Sequence, residues 1–242
     1  MKVFVIIPAA GLGTRMAAPT AKGPPSKQFK ELGGVPILVH TLRKFAGHSG
    51  INEIVVALRK NEINGFREQL EKQFPEIGHK NIRIVEGGER RQNSVANALE
   101  AITADAGDVV LVHDAVRPFV TSEIIANVID AAKKHGAAIA GWPAVDTVKQ
   151  VDRTSDGAVI TATIPRERVV MAQTPQGFRY SILKKAFDEA AGDGFVGTDE
   201  ASMIERSGQL VAVVMGSPRN FKITTPADME LAEFYLPSKS RE

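Results

Sequence analysis

Five short apolar runs, at residues 3–7, 54–58, 82–85, 109–112 and 137–140, are separated by stretches of helical period near 36–46, 61–73, 92–104 and 122–134. This alternation limits the fold more than any other feature of the chain. A strand that reads as an unbroken apolar run is buried on both faces, so helices must cover both sides of a mostly parallel sheet. Right-handed crossovers then gather the loops that follow the strands at one edge, where open α/β sheets bind ligands. The loops after Ile7, Val85 and Val112 are where a site is expected. With 242 residues, 43% of them hydrophobic, residues 1–236 read as one domain, followed by a frayed tail at 237–242.

The pattern changes between residues 143 and 177. Runs at 145–148, 159–163 and 169–171 are of β type, and Ser155-Asp156-Gly157 is a turn signal between the first two. An insert of this size has too little core to stand alone, which predicts a protruding β-arm laid on another surface, that of a second subunit. Helices resume near 180–190 and 199–207. A strand at 210–214 then leads to a last helix opened by Thr225-Pro226.

A formal net charge of +2 is too balanced for bulk nucleic-acid binding. The absence of cysteine removes disulfides and thiolate chemistry and suits a reducing compartment. The apolar run behind Met1-Lys2 stops at Pro8, too short for a signal peptide, and no run approaches the roughly 18 residues of a membrane span. The expectation is a cytoplasmic protein with no membrane or nucleic-acid partner.

The first strand runs into Pro8-Ala9-Ala10-Gly11-Leu12-Gly13-Thr14-Arg15-Met16, with Ser26-Lys27-Gln28-Phe29 downstream. Glycines and small alanines let backbone N–H groups approach an anion, and Arg15 and Lys27 supply fixed positive charge. The loop reads as a triphosphate cradle rather than as a bare turn. It is neither the GxGxxG dinucleotide fingerprint, because Met16 holds the third glycine position, nor a GxxxxGK[ST] P-loop. After the strand at 109–112, His113-Asp114 stands where catalytic groups gather. Asp114 lies too early to cap the next helix, for which Thr121 or Ser122 is better placed, so it is assigned to a ligand: Mg²⁺, directly or through water, or a ribose hydroxyl. His113 is read as a structural histidine. The segment from Gly87 through Glu89 to Ser94 is either a plain turn with an acid at a helix start or a loop reading a pyrimidine edge. Arg166, Arg168 and Thr174 could be edge-strand guards, and Thr198-Asp199-Glu200 reads as an N-cap with first-turn acids.

Taken in order, PAAGLGTRM, SKQF, GGERRQNSV, LVHDAVRP, VDTVK, QTPQGF, TDEAS and NFKITTPAD resemble the 2-C-methyl-D-erythritol 4-phosphate cytidylyltransferases across essentially the whole chain. The resemblance implies a Rossmann-like, nucleotide-diphospho-sugar transferase type of α/β fold. It implies CMP transfer from CTP to the sugar-alcohol phosphate in the non-mevalonate route to isoprenoid precursors. Arg15 and Lys27 would stabilise the transition state, and Arg166 and Lys222 would position the acceptor. CTP contacts would come from Ala9, Ala10, Gly11, Gly13, Gly88, Glu89, Ser94, Asp114 and Ala115. Acceptor contacts would come from Arg117, Thr147, Thr174, Arg166 and Lys222. The arm would cross to a partner in a homodimer, making each site composite.

The chemistry suits these residue types. A phosphate monoester with a second pKa near 6 is already a nucleophilic dianion at neutral pH, so no general base is required. The task is to hold anions together during in-line displacement, which cationic side chains and Mg²⁺ accomplish. Three rivals remain at this stage: a cytidylyltransferase for another alcohol phosphate such as ribitol 5-phosphate, a nucleotide-dependent oxidoreductase, and a non-catalytic nucleotide sensor.

Overall fold

The structure, a computed structural model, describes residues 1–11, 26–77 and 81–236. Its centre is a seven-stranded sheet built from β1 (Val3–Pro8), β4 (Glu53–Leu58), β5 (Asn81–Glu86), β6 (Val109–Val112), β7 (Ala137–Pro143), β10 (Val170–Arg179) and β11 (Ala212–Met215). The spatial order is β11-β7-β10-β6-β1-β4-β5. Two smaller pairs complete the strands: β2 (Glu31–Leu32) with β3 (Val35–Pro36), and β8 (Val148–Thr154) with β9 (Gly157–Ile164). The helices are α1 (Ile37–Ala46), α2 (Lys60–Gln73), α3 (Arg91–Glu100), α4 (Ser122–His135), α5 (Tyr180–Asp193), α6 (Glu200–Arg206) and α7 (Pro226–Tyr235).

The period of two along the strands decides which helix packs where. Val3, Val5 and Ile7 of β1, with Val109 and Leu111 of β6, face the helices α1, α2 and α4. Phe4 and Ile6, with Val110 and Val112, face α3, α5 and α6. Every residue of β4 and β6 is buried, as their unbroken apolar runs require. β1 pairs in parallel with both β4 and β6. After β1 the chain builds outward through β4 and β5, then returns to lay β6 on the other flank, so β1 and β6 enclose a topological switch point. The loops at their carboxyl ends face the crevice predicted from the sequence.

Two helix-end signals work as read, whereas α6 is capped by Asp199 rather than Thr198, because it is the Asp199 carboxylate that accepts from the Ser202 N–H. The Thr121 side chain accepts from the Ile124 N–H, and Thr225 accepts from the Asp228 N–H with Pro226 in the first turn of α7. A third apolar cluster of Leu32, Ile37, Val116, Ile223 and Ala232 seats α7 against the loop that follows β6.

The insert differs from its expected outline. Only β8 and β9 form a free-standing hairpin, and nearly all their residues are exposed. The run at 169–171, assigned to the arm from its sequence, is the beginning of β10, which continues to Arg179 as an antiparallel strand between β6 and β7. A β-type run inside an insert carries no signal that its second half re-enters the main sheet. Between Ala172 and Gln176 the β7–β10 register shifts, leaving Gln173, Thr174 and Pro175 out of regular pairing.

Candidate active site

At the switch point lies a cavity of about 250 Å³, formed by the ends of β1 and β6, the turn before α3, Lys27 and Gln28, and the segment leading into α7. Each wall has a local cause. Strand β1 is prolonged by the Ala9 N–H bonding Ala57 O at 2.8 Å, and Gln28 Nε2 donates to Ala9 O, drawing the turn of 3-10 helix Lys27–Phe29 against the first loop. Arg59 Nε donates to Ala10 O at 3.0 Å, and Ser26 Oγ to Glu62, so the start of α2 holds both Ala10 and Ser26 in place. At Gly87 a Cβ would meet Ala10 Cβ at 2.6 Å and Ser94 Oγ at 2.9 Å, so only glycine allows the two loops to approach this closely. The Ser94 hydroxyl accepts from the Gly88 N–H at 3.1 Å.

Asp114 is the electrostatic centre. Oδ2 accepts from Lys222 Nζ at 3.0 Å and from Arg117 Nε at 3.1 Å, and Oδ1 accepts from Arg91 Nε at 3.3 Å. Burial alone would raise its carboxyl, but Arg91, Lys222 and Arg117 hold it well below the usual carboxylate range. Arg91 in turn donates through Nη1 to both oxygens of Glu200, at 2.7 and 2.9 Å. Burial favours the neutral form of Glu200 and Arg91 opposes it, leaving the pKa raised. For Arg91, burial is outweighed by Glu200 and Asp114, and the guanidinium is fixed in its charged form.

Beneath Asp114 runs a chain of neutral hydrogen bonds. The Asp114 N–H donates to Thr174 Oγ1 at 3.0 Å, the Thr174 hydroxyl donates to His113 Nδ1 at 3.0 Å, and His113 Nε2 donates to Arg117 O at 3.1 Å. Burial pushes the fully buried His113 ring down to about 4, so it is neutral near pH 7 with both nitrogens engaged. It is a structural histidine, as expected, and has no nitrogen to spare as a general base.

Lys222 reaches Asp114 because the segment before it is pinned. Gln173 Nε2 donates to Ser217 O at 2.8 Å, buried Asn220 donates to Thr174 O at 2.8 Å, and Arg117 Nη1 donates to Asn220 O at 2.7 Å. These bonds use the irregular stretch of β10, whose disturbed pairing leaves Gln173 and Thr174 available to the neighbouring loop.

The residues named from the sequence therefore fall into groups. Ala9, Ala10, Gly11, Lys27, Gly88, Glu89, Ser94, Asp114, Ala115 and Lys222 line the cavity. Arg117 and Thr174 lie behind it, bonded to Asp114. Arg166 and Thr147 are exposed on the arm and do not line it, and Arg166 Nη1 donates to Val145 O at 3.0 Å. Gly13 and Arg15 lie outside the described residues. Sequence reasoning missed Arg91, Glu200, Gln28 and Asn220. Glu200 is ordinary in sequence, one of two acids at a helix start, and only the packing of α6 on the sheet makes it a buried partner of Arg91.

The family described as 2-C-methyl-D-erythritol 4-phosphate cytidylyltransferase matches residues 3–238. The chain belongs to this family. It is 57% identical to the cytidylyltransferase of that description from Acidobacterium capsulatum over 99% of both chains, and 54% identical to the one from Solibacter usitatus over 98% of this chain and 96% of the other. Among solved structures, the 2-C-methyl-D-erythritol 4-phosphate cytidylyltransferase of Francisella tularensis superposes with a TM-score of 0.80 at 36% identity, over 98% of this chain and 100% of the other. A 4-diphosphocytidyl-2C-methyl-D-erythritol synthase from Anaerococcus prevotii gives 0.81 at 32% identity, over 97% and 95%. The mixed, mostly parallel sheet is thus that of the cytidylyltransferase family, and the chain is a nucleotidyltransferase acting in isoprenoid precursor biosynthesis. Among the described residues no helix is long and apolar enough to cross a membrane.

Proposed function

We propose that the cavity at the β1–β6 switch point takes CTP, and that CMP is transferred there to 2-C-methyl-D-erythritol 4-phosphate with release of pyrophosphate. The observation that carries this reading is the lining itself: a small-residue loop from β1, Lys27, Lys222 and one deeply set carboxylate surround a space open to a triphosphate. Membership of the family supplies the nucleotide and the acceptor.

The acceptor phosphate attacks the α-phosphorus in line with the pyrophosphate leaving group and arrives already ionised. The chain's part is positioning and charge. The loop at Ala9, Ala10 and Gly11 receives the phosphates, its small side chains leaving the backbone N–H groups accessible. Lys27, with Arg15, neutralises charge on the equatorial oxygens during displacement. The Gly88–Glu89 turn and Ser94 hold the base and ribose side of the nucleotide, and Lys222 holds the acceptor phosphate, with Arg117 behind the cavity keeping Asp114 and Asn220 in place.

A divalent cation such as Mg²⁺ fits the donor set. Among the described residues no group of three or more metal-ligating side chains exists, which suits a cation held by one carboxylate and by substrate phosphates. Asp114 would be that carboxylate, reached through water, since Arg91, Arg117 and Lys222 already engage its two oxygens. Bound beside the triphosphate, such a cation would supply positive charge that screens the phosphates from the incoming anion.

Arg166, Thr147 and the arm act in trans within a homodimer. The hairpin exposes Val151 with its register partner Ile160, and Val159 beside them, on a two-stranded sheet that packs on no core among the described residues. The test of the whole reading is pyrophosphate release by the purified protein with Mg²⁺, offering CTP, UTP, ATP and GTP against methylerythritol phosphate and, separately, ribitol 5-phosphate. Release with CTP and methylerythritol phosphate alone is expected. A preference for ribitol 5-phosphate would change the acceptor and keep the mechanism. Tight CTP binding with no release from any pair would leave a sensor.

A further inference from the structure

Arg59 and Glu62 enter no step of the reaction described above, yet the start of α2 that carries them touches both loops on the phosphate side of the cavity. Glu62 is the acid of the first turn, where a carboxylate ordinarily serves its own helix end. Here no side chain caps the helix, and Glu62 Oε1 accepts instead from the hydroxyl of Ser26, 36 positions earlier in the chain. Arg59 Nε donates to Ala10 O at 3.0 Å, across 49 positions. The two residues stand at the spacing of a helical ion pair, but each is turned to a loop. Arg59 Nη2 and Glu62 Oε2 are left buried without a hydrogen bond among the described residues. Unused polar atoms of this kind cost stability, so an arrangement that keeps two of them together has another reason to persist.

That reason lies in what the two loops carry. Ala9, Ala10 and Gly11 line the cavity, as does Lys27, which follows Ser26 directly. Ser26 is 5% exposed and its carbonyl accepts from the Phe29 N–H at 2.8 Å, so the short turn holding Lys27 springs from a fixed residue. Gln28 of that turn donates to Ala9 O and ties the two loops at one point. A single hydrogen bond sets a separation and leaves a pivot. The bonds from Arg59 to Ala10 and from Glu62 to Ser26 add two more points, and they stand on one rigid turn in which the Glu62 N–H donates to Arg59 O at 2.9 Å. Three points fix the angle between the loops as well as the distance.

We propose that Arg59 and Glu62 are positioning residues for the transfer step: acting through the Ala10 carbonyl and the Ser26 hydroxyl, they set the phosphate loop and Lys27 so that both bear on one phosphoryl group. This rests on the reading that Lys27 stabilises the transition state.

The test is kcat at saturating CTP, Mg²⁺ and methylerythritol phosphate, with urea unfolding to show that each variant is folded. Glu62→Ala should lower kcat roughly tenfold, since displacing a reacting group by about 1 Å costs up to about 10²-fold and this is one tie of three. Ser26→Ala removes the same bond from its other end and should give a similar loss, which keeps the proposal testable if Glu62→Ala folds poorly. Glu62→Gln removes the charge but keeps an acceptor for Ser26, and should stay within about threefold of wild type. A glutamine variant as slow as the alanine one would make charge the operative property and overturn the proposal. Arg59→Met should also be slow, and Arg59→Met/Glu62→Ala should be little slower than the worse single variant, because releasing either anchor already restores the pivot. Losses that multiply mark two unrelated structural roles and overturn the clamp. In a Lys27→Ala background, Glu62→Ala should cost less than about twofold, whereas a merely structural residue would cost as much as before. If Lys27→Ala turns over as wild type does, the premise about Lys27 fails and the proposal with it; if Lys27→Ala is slow while Glu62→Ala and Ser26→Ala are not, only the role of the α2 turn is overturned.

Discussion

In β6 all four residues are buried and the strand ends two residues before Asp114; in β9 every residue from Gly157 to Thr163 is exposed, and the hairpin lies beyond the cavity. Each leads to a residue assigned to the same reaction, Asp114 after β6 and Arg166 after β9. The first group is held by a core that one chain builds for itself, so its geometry is complete in that chain: Asp114, Lys222, Arg117 and Arg91 meet within hydrogen-bond distance. The second group, Arg166 and Thr147, flanks the base of a hairpin with no hydrophobic interior. Where a side chain's position is over-determined by packing, function can be read from one chain; where it is not, a second surface must supply what the first lacks.

Substitutions can break or sharpen this contrast. The largest effect is expected on the core side, where Lys27→Ala should lower kcat at least ~10²-fold, the scale for one preorganised charge-stabilising donor. A rise in KM with kcat unchanged would make Lys27 a binder only. Leu111→Ala in fully buried β6 should cost about 3 kcal/mol in urea unfolding, whereas Ile160→Ala, 60% exposed, should cost under about 0.5 kcal/mol at dilutions where the chain is monomeric. Equal costs would show that the hairpin has a hidden core. Arg166→Ala should raise KM for the acceptor and leave that for CTP nearly unchanged. Dimers mixed from Arg166→Ala and Lys27→Ala subunits should regain one working site, and no regain would sink the claim that the arm works in trans.

The smallest effect concerns the end of the sheet remote from the cavity. There Asp108 accepts from the Lys2 N–H at 2.7 Å and the Asp105 N–H at 2.9 Å. Burial opposes its charge, but these backbone donors prevail and lower its pKa from 3.8. The folded state thus holds the proton less tightly than the unfolded one, and the stabilisation is complete above pH 3.8 and lost as pH falls below it. The stability gap between wild type and Asp108→Asn should be widest near neutrality and narrow in urea titrations taken at successively lower pH.

The parallel half of the sheet was legible because burial on both faces writes itself as unbroken apolar runs, and its loops because glycine and proline mark them. Thr121 and Thr225 were legible for a local reason: an N-cap bonds within its own turn. Glu200 and Asn220 were not. Each is placed by contacts that span much of the chain, Glu200 to Arg91 and Asn220 to Gln173, and spacing along the sequence holds no trace of them. The course of β10 was half legible. Its residues have strand character, but whether a strand pairs with its neighbour in sequence or enters a distant ladder depends on which edges are left open.

Strand β10 leaves the arm at Val170, passes under Asp114 at Thr174, and finishes beside β6 at Arg179. A strand shows alternate faces with every residue, so a slip of one position would turn the Thr174 hydroxyl away from His113 and shift the base of the arm in the same move. Reach and floor are therefore not independent settings. As the chain folds, a single choice of alignment between β10 and its two neighbours both sets how far the hairpin extends and decides whether the neutral histidine beneath the carboxylate finds its hydroxyl.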